Sequence, residues 1–285
     1  MRNLCRSLGL MAAIVVCGLL AAAQSPIKLT VDASQAPLKV LYTHMTLPVK
    51  PGPLTLLYPK WIPGEHEPDG PIGNLTGLQF TANGKVIPWT RDTLDVFTFH
   101  LDIPPGVSTL EVSFDYLEAV AGEYSSGGSA TAKLVDVNWN QNLLYPAGIP
   151  ADQIQVDVRL LLPPDWQYGT ALPVASGSGS EVAFKPAPLD LLVDSPVIAG
   201  QYMKKIDITP PGEPIPHEWD IAADSPEALA VAERNLAGQG NVRFYHAGVD
   251  ELPFRDASLD FAYSLGVLHH VPDTARRSEE RRVGK

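Results

Sequence analysis

Short apolar runs rich in β-branched and aromatic residues recur from residue 26 to residue 223, with proline and glycine between them. The dipeptide Asn83-Gly84 separates two of these runs and predicts a tight hairpin turn. With 27 prolines and 23 glycines among 285 residues, long helices are disfavoured. The chain is therefore expected to be mainly β, with an antiparallel β-sandwich as its main domain. The predicted strands are residues 27–31, 38–45, 54–58, 75–81, 96–101, 109–116, 154–162, 181–184, 202–208 and 218–222.

The pattern changes near residue 230. A helix is predicted over residues 225–237, with Ser225 as its N-cap, Pro226 in its first turn and Gly238 after its end. The sequence beyond it predicts a short, incomplete α/β, Rossmann-like segment, with strands at 242–245 and 259–263 and a helix that starts within 265–271. We therefore divide the chain into a signal peptide, a β domain, an α/β segment and a tail, at residues 1–23, 24–229, 230–276 and 277–285.

The first segment has the three-part layout of a secretory signal peptide. Arg2 and Arg6 precede an apolar run at residues 8–20, and small alanines follow it. This run is shorter than the about 20 residues that a membrane-spanning helix needs. We expect cleavage after Ala23, a secreted or periplasmic mature chain, and no membrane contact after cleavage. An uncleaved anchor and a lipoprotein modified at Cys17 are the alternatives.

Composition argues against several classes of site. The formal net charge of −11 argues against nucleic acid as a partner, because a phosphate-backbone binder needs clustered basic residues. Both cysteines, Cys5 and Cys17, lie in the signal peptide, so we expect neither disulfides nor cysteine-ligated zinc in the mature chain. Glu65-His66-Glu67 lies between prolines, and adjacent residues point to alternate faces, so a solvated loop is expected there. The GxG-containing residues 176–180 precede a predicted strand, which favours a hairpin loop over a nucleotide-binding loop.

Three strings in the β-rich region resemble the N-terminal domain of the peptidase M61 family, the glycyl aminopeptidases. They are residues 58–66, YPKWIPGEH; residues 138–148, NWNQNLLYPAG; and residues 217–222, HEWDIA. The resemblance covers about residues 27–229.

This resemblance implies a metallopeptidase that removes N-terminal glycine or alanine from peptides. Its zinc site belongs to a later domain in which an H-E-x-x-H motif on a helix places both histidines on one metal. This sequence contains no such motif, since His217-Glu218 is followed by Ile221 instead of a second histidine. We therefore expect no catalytic or metal-binding residue and no bound zinc here, and a peptide substrate only by analogy with the family.

The segment after the predicted helix resembles part of a class I methyltransferase of type 11, which uses S-adenosylmethionine. The residues that carry the resemblance are NVRFYHA at 241–247, ELPFRD at 251–256, LDFAY at 259–263 and VLHHV at 267–271. The resemblance implies that Asp250, Glu251 and Leu252 are the candidate cofactor-binding residues. Gly248 departs from the acidic residue common in the family, and the Gly-rich loop after the first strand is missing.

The adjacent His269 and His270 do not face a common point on a helix, so a structural or cleft-lining role is expected for them. The last nine residues, 277–285, resemble a translated sequencing-library adapter, and a charged, disordered tail is the alternative. The sequence thus favours a non-catalytic N-terminal β domain of an exported M61-type metallo-aminopeptidase, joined to a methyltransferase fragment. The alternatives are an incomplete S-adenosylmethionine-dependent methyltransferase and an exported binding module that uses the loop at 61–71. The sequence makes no prediction about oligomeric state.

Overall fold

The structure is a computed structural model that describes residues 25–61, 68, 70–118, 129–209, 211–212, 214 and 216–236. The strands of this part of the chain are β1 Ile27–Asp32, β2 Val40–Pro48, β3 Gly52–Leu57, β4 Leu75–Ala82, β5 Lys85–Val86, β6 Trp89–Arg91, β7 Thr98–Ile103, β8 Thr109–Leu117, β9 Leu134–Val137, β10 Tyr145–Pro146, β11 Gln155–Leu161, β12 Gln167–Gly169, β13 Val174–Ser178, β14 Glu181–Phe184, β15 Ala187–Pro188, β16 Val197–Gly200, β17 Tyr202–Asp207 and β18 Glu218–Ala223. The helices are α1 Leu189–Val193 and α2 Pro226–Leu236. Short 3-10 turns lie at Ala36–Leu38, Ile72–Asn74, Trp139–Gln141 and Ala151–Gln153.

The strands form one large sheet and three smaller ones. The large sheet runs β13-β14-β11-β1-β2-β8-β4-β5, with β15 also paired to β11. The smaller sheets are β10-β3-β7-β6, β12-β16-β9 and the hairpin β17-β18. One pair, β1 with β11, is parallel, with Ile27 opposite Val156. These two strands are far apart in sequence, so no hairpin turn fixes their relative direction.

Aromatic side chains join the large sheet to the four-stranded sheet. The ring of Phe80 on β4 meets Trp89 on β6 edge-to-face at 6.0 Å, and Trp89 meets Phe99 on β7 at 5.5 Å. Both phenylalanines are fully buried, and burial of such a side chain is worth roughly 1.5–3 kcal/mol. The buried residues of both sheets belong to one hydrophobic core, which confirms the β-sandwich expectation.

All ten predicted strands are present, with ends that shift by up to three residues. Asn83 and Gly84 have φ angles of 49° and 72°, which fit the two central positions of a type I′ hairpin turn between β4 and β5. The loop expected at 176–180 is shorter than predicted, because Ser176–Ser178 extends β13 and pairs with β14. The sequence did not predict this strand, because its small side chains lack the apolar alternation that identified the others.

The predicted helix at 225–237 is α2, and its predicted cap is confirmed. The backbone N–H of Ala228 donates to Ser225 Oγ at 3.2 Å, and Pro226 is the first helical residue. No described helix is long and apolar enough to cross a membrane. The predicted signal peptide, the Glu65-His66-Glu67 string, Gly238 and the predicted elements after residue 240 lie outside the described residues.

Candidate functional site

Buried polar side chains meet where the ends of β3, β8 and β9 approach the chain at Asn138–Asn142. We call this group the polar cluster: Tyr58, Tyr116, Glu118, Asp136 and Asn138–Asn142. Tyr58 follows β3, and its hydroxyl donates to the carbonyl oxygen of Gln141 at 3.2 Å. The charge of Glu118 raises the pKa values of Tyr58 and Tyr116, and the charge of Asp136 raises that of Glu118, so these groups lie within electrostatic range of one another. The cluster therefore contains groups from three of the sheets.

The alternation of β8 explains why a carboxyl lies in the core. Leu110, Val112, Phe114 and Tyr116 point inward from this strand, and Glu118 continues the same series one position beyond its end. The Glu118 N–H donates to the carbonyl of Lys39 at 2.9 Å, which extends the pairing with β2. As a result, Glu118 is 5% exposed where an apolar side chain would be expected.

Burial controls the protonation of this cluster. Desolvation, together with the smaller effect of the nearby charge of Asp136, raises the pKa of Glu118 to about 8. Desolvation also raises the pKa of Asp136, and it raises the pKa values of Tyr58 and Tyr116 above that of a free tyrosine. At neutral pH the Glu118 carboxyl is therefore mostly protonated, so it can donate a hydrogen bond or release a proton.

The asparagine-rich turn on the other side of the cluster is only partly satisfied. Asn142 accepts from Thr43 Oγ1 at 3.1 Å, and its Nδ2 donates to the carbonyl of Asn138 at 3.0 Å. Within the described residues, the Nδ2 atoms of Asn138 and Asn140 are buried without a hydrogen-bond acceptor. An unsatisfied buried donor costs roughly 1–3 kcal/mol, so this turn carries a local energetic cost.

A second polar arrangement contains Thr55 and His100 of the four-stranded sheet and Asp92 of the turn after β6. Thr55 Oγ1 lies 3.2 Å from His100 Nδ1, and His100 Nε2 lies 2.9 Å from Asp92 Oδ2. The other Asp92 oxygen accepts from the backbone N–H groups of Leu94 and Asp95 at 2.8 and 3.0 Å. The hydrogen bond from His100 and those from these backbone groups lower the pKa of Asp92 to about 2. Asp92 thus anchors the turn between β6 and β7.

The predicted site residues fall into two groups. Asp250, Glu251 and Leu252, His269 and His270, and Glu65-His66-Glu67 all lie outside the described residues. His217-Glu218 is described, and it lies at the start of β18, where Glu218 accepts from Lys205. Among the described residues, no group of three or more His, Cys, Asp or Glu side chains is arranged to hold a metal ion.

Sequence reasoning did not identify the polar cluster. Its only local signal was an acidic residue in phase with the buried positions of β8. The partners of Glu118 come from β3 and β9, and their proximity depends on how the sheets pack.

A sequence profile of the peptidase M61 N-terminal domain matches residues 28–201. The chain belongs to the peptidase M61 N-terminal domain family. A second profile, of a methyltransferase domain, matches residues 221–283. Both resemblances drawn from the sequence are confirmed by these matches. None of the curated proteins matches the chain.

Two solved structures are similar to this M61 N-terminal domain. An aminopeptidase N family protein from Idiomarina loihiensis aligns with a TM-score of 0.60 at 18% identity, over 73% of this chain and 35% of that one. A mutant M1 zinc metallopeptidase from Deinococcus radiodurans, bound to a Tyr-Ser-Ala substrate, aligns with a TM-score of 0.42 at 14% identity, over 72% and 48%. The first similarity shows the fold alone. The chain spans 35% of the length of that first relative.

The β17–β18 hairpin lies mostly between the two profile matches, in residues 202–220 that neither profile covers. The methyltransferase match begins at residue 221, inside β18, whereas the M61 match ends at residue 201, just before β17. β18 pairs antiparallel with β17, from Tyr202 opposite Ala223 to Asp207 opposite Glu218. The sheet of a doubly wound, cofactor-binding fold is built mostly from parallel strands. Residues 221–223 are therefore part of the β-rich structure.

Proposed function

We propose that this chain is the non-catalytic N-terminal β domain of an exported M61-type metallo-aminopeptidase. The M61 match over residues 28–201 carries the proposal. In this proposal the zinc ion belongs to a further domain with an H-E-x-x-H motif, and the β domain packs against that domain and shapes the substrate cleft. The substrates are peptides with N-terminal glycine or alanine.

The position of His217-Glu218 supports a non-catalytic role. These residues start an antiparallel strand, where Glu218 Oε1 accepts from Lys205 Nζ at 2.9 Å. An H-E-x-x-H site requires a helix, because side chains at i and i+4 of a helix lie on one face about one turn apart, whereas in a strand the same two positions are too far apart to bind one metal ion. The His217-Glu218 pair therefore serves the hairpin, and the catalytic glutamate of the proposed enzyme lies elsewhere.

Export is the second element of the proposal. The charged start, apolar run and small residues within 1–23 match a cleavable signal peptide. Expression in a bacterial host with N-terminal sequencing of the periplasmic fraction tests this. We expect a mature chain that begins at Gln24, and recovery of the intact chain in the cytoplasm would contradict export.

An incomplete methyltransferase is the competing proposal, because a methyltransferase profile matches residues 221–283. It would bind S-adenosylmethionine through Asp250, Glu251 and Leu252. Opposing it, such enzymes hold the cofactor at the carboxyl ends of several parallel strands, and the sequence before residue 241 supplies no Gly-rich first turn.

One preparation of the purified chain tests both proposals. Zinc content is measured by mass spectrometry. Peptidase activity is measured as hydrolysis of glycine and alanine p-nitroanilides. Cofactor binding is measured as the shift in thermal unfolding when S-adenosylmethionine is added. A ligand at a hundred times its dissociation constant stabilises a protein by about 2.7 kcal/mol, which is easily detected. We expect no chelator-sensitive hydrolysis, substoichiometric zinc and no thermal shift. Stoichiometric zinc with hydrolysis would contradict the non-catalytic role, and a shift with the cofactor would favour the methyltransferase.

A further inference from the structure

A hydroxyl, an imidazole and a carboxylate are hydrogen-bonded in series on the face of the four-stranded sheet that points away from the core. Thr55 lies opposite His100 in the pairing of β3 with β7, and Thr55 Oγ1 is 3.2 Å from His100 Nδ1. His100 Nε2 is 2.9 Å from Oδ2 of Asp92, which follows β6. The side chains of His100 and Asp92 are 43% and 32% exposed, so a small molecule can reach them from solvent.

The carboxylate of Asp92 determines which nitrogen of His100 carries the proton. Hydrogen bonds from His100 and from the backbone lower the pKa of Asp92 to about 2, so at neutral pH its oxygens can only accept. Nε2 is therefore the protonated nitrogen and donates to Asp92. In the neutral imidazole, Nδ1 then has a free lone pair and accepts from the Thr55 hydroxyl. A hydroxyl bonded to a base that a third group orients is the arrangement that activates a nucleophile.

The residues beside Thr55 leave room for a small acyl group. Ala147 lies across from Thr55, where its N–H donates to the Thr55 carbonyl at 3.0 Å, and it is exposed. Its side chain is a single methyl group, so the Thr55 hydroxyl is accessible from that side. Leu57 lies two positions after Thr55 on the same face and pairs with Tyr145, and both are half-buried. These two side chains offer an apolar contact to the alkyl part of a short acyl group.

We propose that Thr55 is the nucleophile of an acyl-transfer site for activated esters of short carboxylic acids, with His100 as general base and Asp92 as the residue that positions His100. The Thr55 oxygen attacks the ester carbonyl carbon while its proton passes to His100 Nδ1. The bond from that carbon to the leaving oxygen then breaks, and the leaving group departs with the electron pair. The acyl group stays on Thr55 Oγ1, and the imidazolium returns its proton to solvent. This step is independent of the proposed peptidase, whose zinc ion belongs to another domain.

The test uses the purified full chain and p-nitrophenyl acetate, whose phenolate leaves without needing a proton. We expect a burst of about one p-nitrophenolate per chain, because the acetyl-threonine ester forms faster than water hydrolyses it. Peptide mapping by mass spectrometry should locate the acetyl group on Thr55.

Matched variants separate this site from the background reactivity of exposed side chains. Thr55→Ala and His100→Gln should each lower the rate of the burst at least about 100-fold, whereas Thr55→Ser should keep it. Thr90→Ala removes the hydroxyl that lies opposite His100 on β6, and His44→Gln removes an exposed histidine of the large sheet. Both should behave like the parent. Circular dichroism and thermal unfolding check that each variant is folded.

Asp92→Asn tests the positioning role with a measurement that a purely structural role would not change. The asparagine amide donates to Nε2, which moves the ring proton to Nδ1, where the ring can no longer accept from Thr55. NMR of the ring nitrogens in histidine-labelled protein reports this tautomer. We expect a proton on Nε2 of His100 in the parent and on Nδ1 in the variant, with the burst slowed at least about 100-fold.

Four results would overturn the proposal. They are the absence of a burst from the folded parent, an unchanged burst in Thr55→Ala, acetylation of other residues with Thr55 unmodified, and a neutral His100 that carries its proton on Nδ1 in the parent. Each of them leaves the proposed role in an aminopeptidase as it was.

Discussion

The carboxylate of Asp220 lies against Gly169, in the space that a Cβ atom at position 169 would occupy. Asp220 is on β18 and Gly169 is on β12, so this contact joins the β17–β18 hairpin to the three-stranded sheet. A Cβ at Gly200 on β16 would likewise lie 3.5 Å from Ala222 Cβ. The hairpin is therefore packed on the β-rich structure, which continues past the end of the M61 match at residue 201 through Ala223.

Gly169→Ala should destabilise the protein. The added methyl group overlaps the Asp220 carboxylate, so the hairpin must shift, at a cost of about 1–3 kcal/mol. Urea unfolding followed by circular dichroism measures the change. Gly73→Ala is the matched control, because a Cβ there meets nothing within 4 Å, and it should change the free energy of unfolding by less than about 0.5 kcal/mol. Equal stabilities of the two variants would refute the contact.

The stability of the protein should fall as pH rises from about 4.5 to about 8. The native state keeps the proton of Glu118 up to about pH 8, whereas the unfolded chain loses it near 4.5. Unfolding thus releases a proton in this window, so the free energy of unfolding decreases with pH. The raised pKa of Asp136 acts in the same direction.

Glu118→Gln tests this pH dependence. The amide cannot titrate, so the variant should gain stability relative to the parent as pH rises, on the order of 4 kcal/mol by pH 8. Glu111→Gln on the exposed face of β8 is the control and should follow the parent at every pH. The two variants and the parent are compared by urea unfolding at about pH 5, 6.5 and 8, which lie within the range where Glu118 changes its protonation on unfolding. Parallel curves for the parent and Glu118→Gln would rule out a buried, protonated Glu118.

Tyr58→Phe should destabilise the polar cluster. The hydroxyl of the buried Tyr58 donates to the carbonyl of Gln141, and its loss leaves that acceptor without this partner at a cost of about 1–2 kcal/mol. Tyr42→Phe removes the hydroxyl of an exposed tyrosine and should be nearly neutral. Thermal unfolding of both variants decides the point, and a neutral Tyr58→Phe would show that the hydrogen bond contributes nothing to stability.

Asp92→Asn should loosen the turn between β6 and β7. The pKa of Asp92 is lowered to about 2, so its stabilising contribution is present above about pH 4 and is lost as pH falls towards 2. At neutral pH the variant should show faster amide hydrogen exchange at Leu94 and Asp95, whose N–H groups donate to this carboxylate. Asp102→Asn on β7 is the control and should leave exchange at the turn unchanged. If amide exchange at Leu94 and Asp95 is unaltered in Asp92→Asn, Asp92 does not anchor the turn.

Local patterns predicted the strands that carry apolar alternation and the turns that carry special residues. β8 and β7 alternate clearly, Asn83-Gly84 identified its hairpin, and Ser225 identified the start of α2. Short strands such as β9 and β16 were missed, because four residues carry too little periodicity to be recognised.

Features that depend on packing between distant segments could not be predicted. The parallel pairing of β1 with β11 joins strands that are far apart in the sequence, and no local residue encodes its direction. The polar cluster likewise depends on Glu118 meeting Asp136 and Tyr58 from other sheets. Glutamate is rarely buried in proteins, yet the fold buries Glu118.

The most direct test of the account is one long DNA read from the source genome, running from the codon for residue 200 past the codon for residue 285. If this chain is the β domain of an M61-type aminopeptidase, the reading frame after the β17–β18 hairpin continues into a domain with an H-E-x-x-H motif. A read that reproduces residues 237–285 directly after the α2 codons, with no such domain in the frame, would contradict the account.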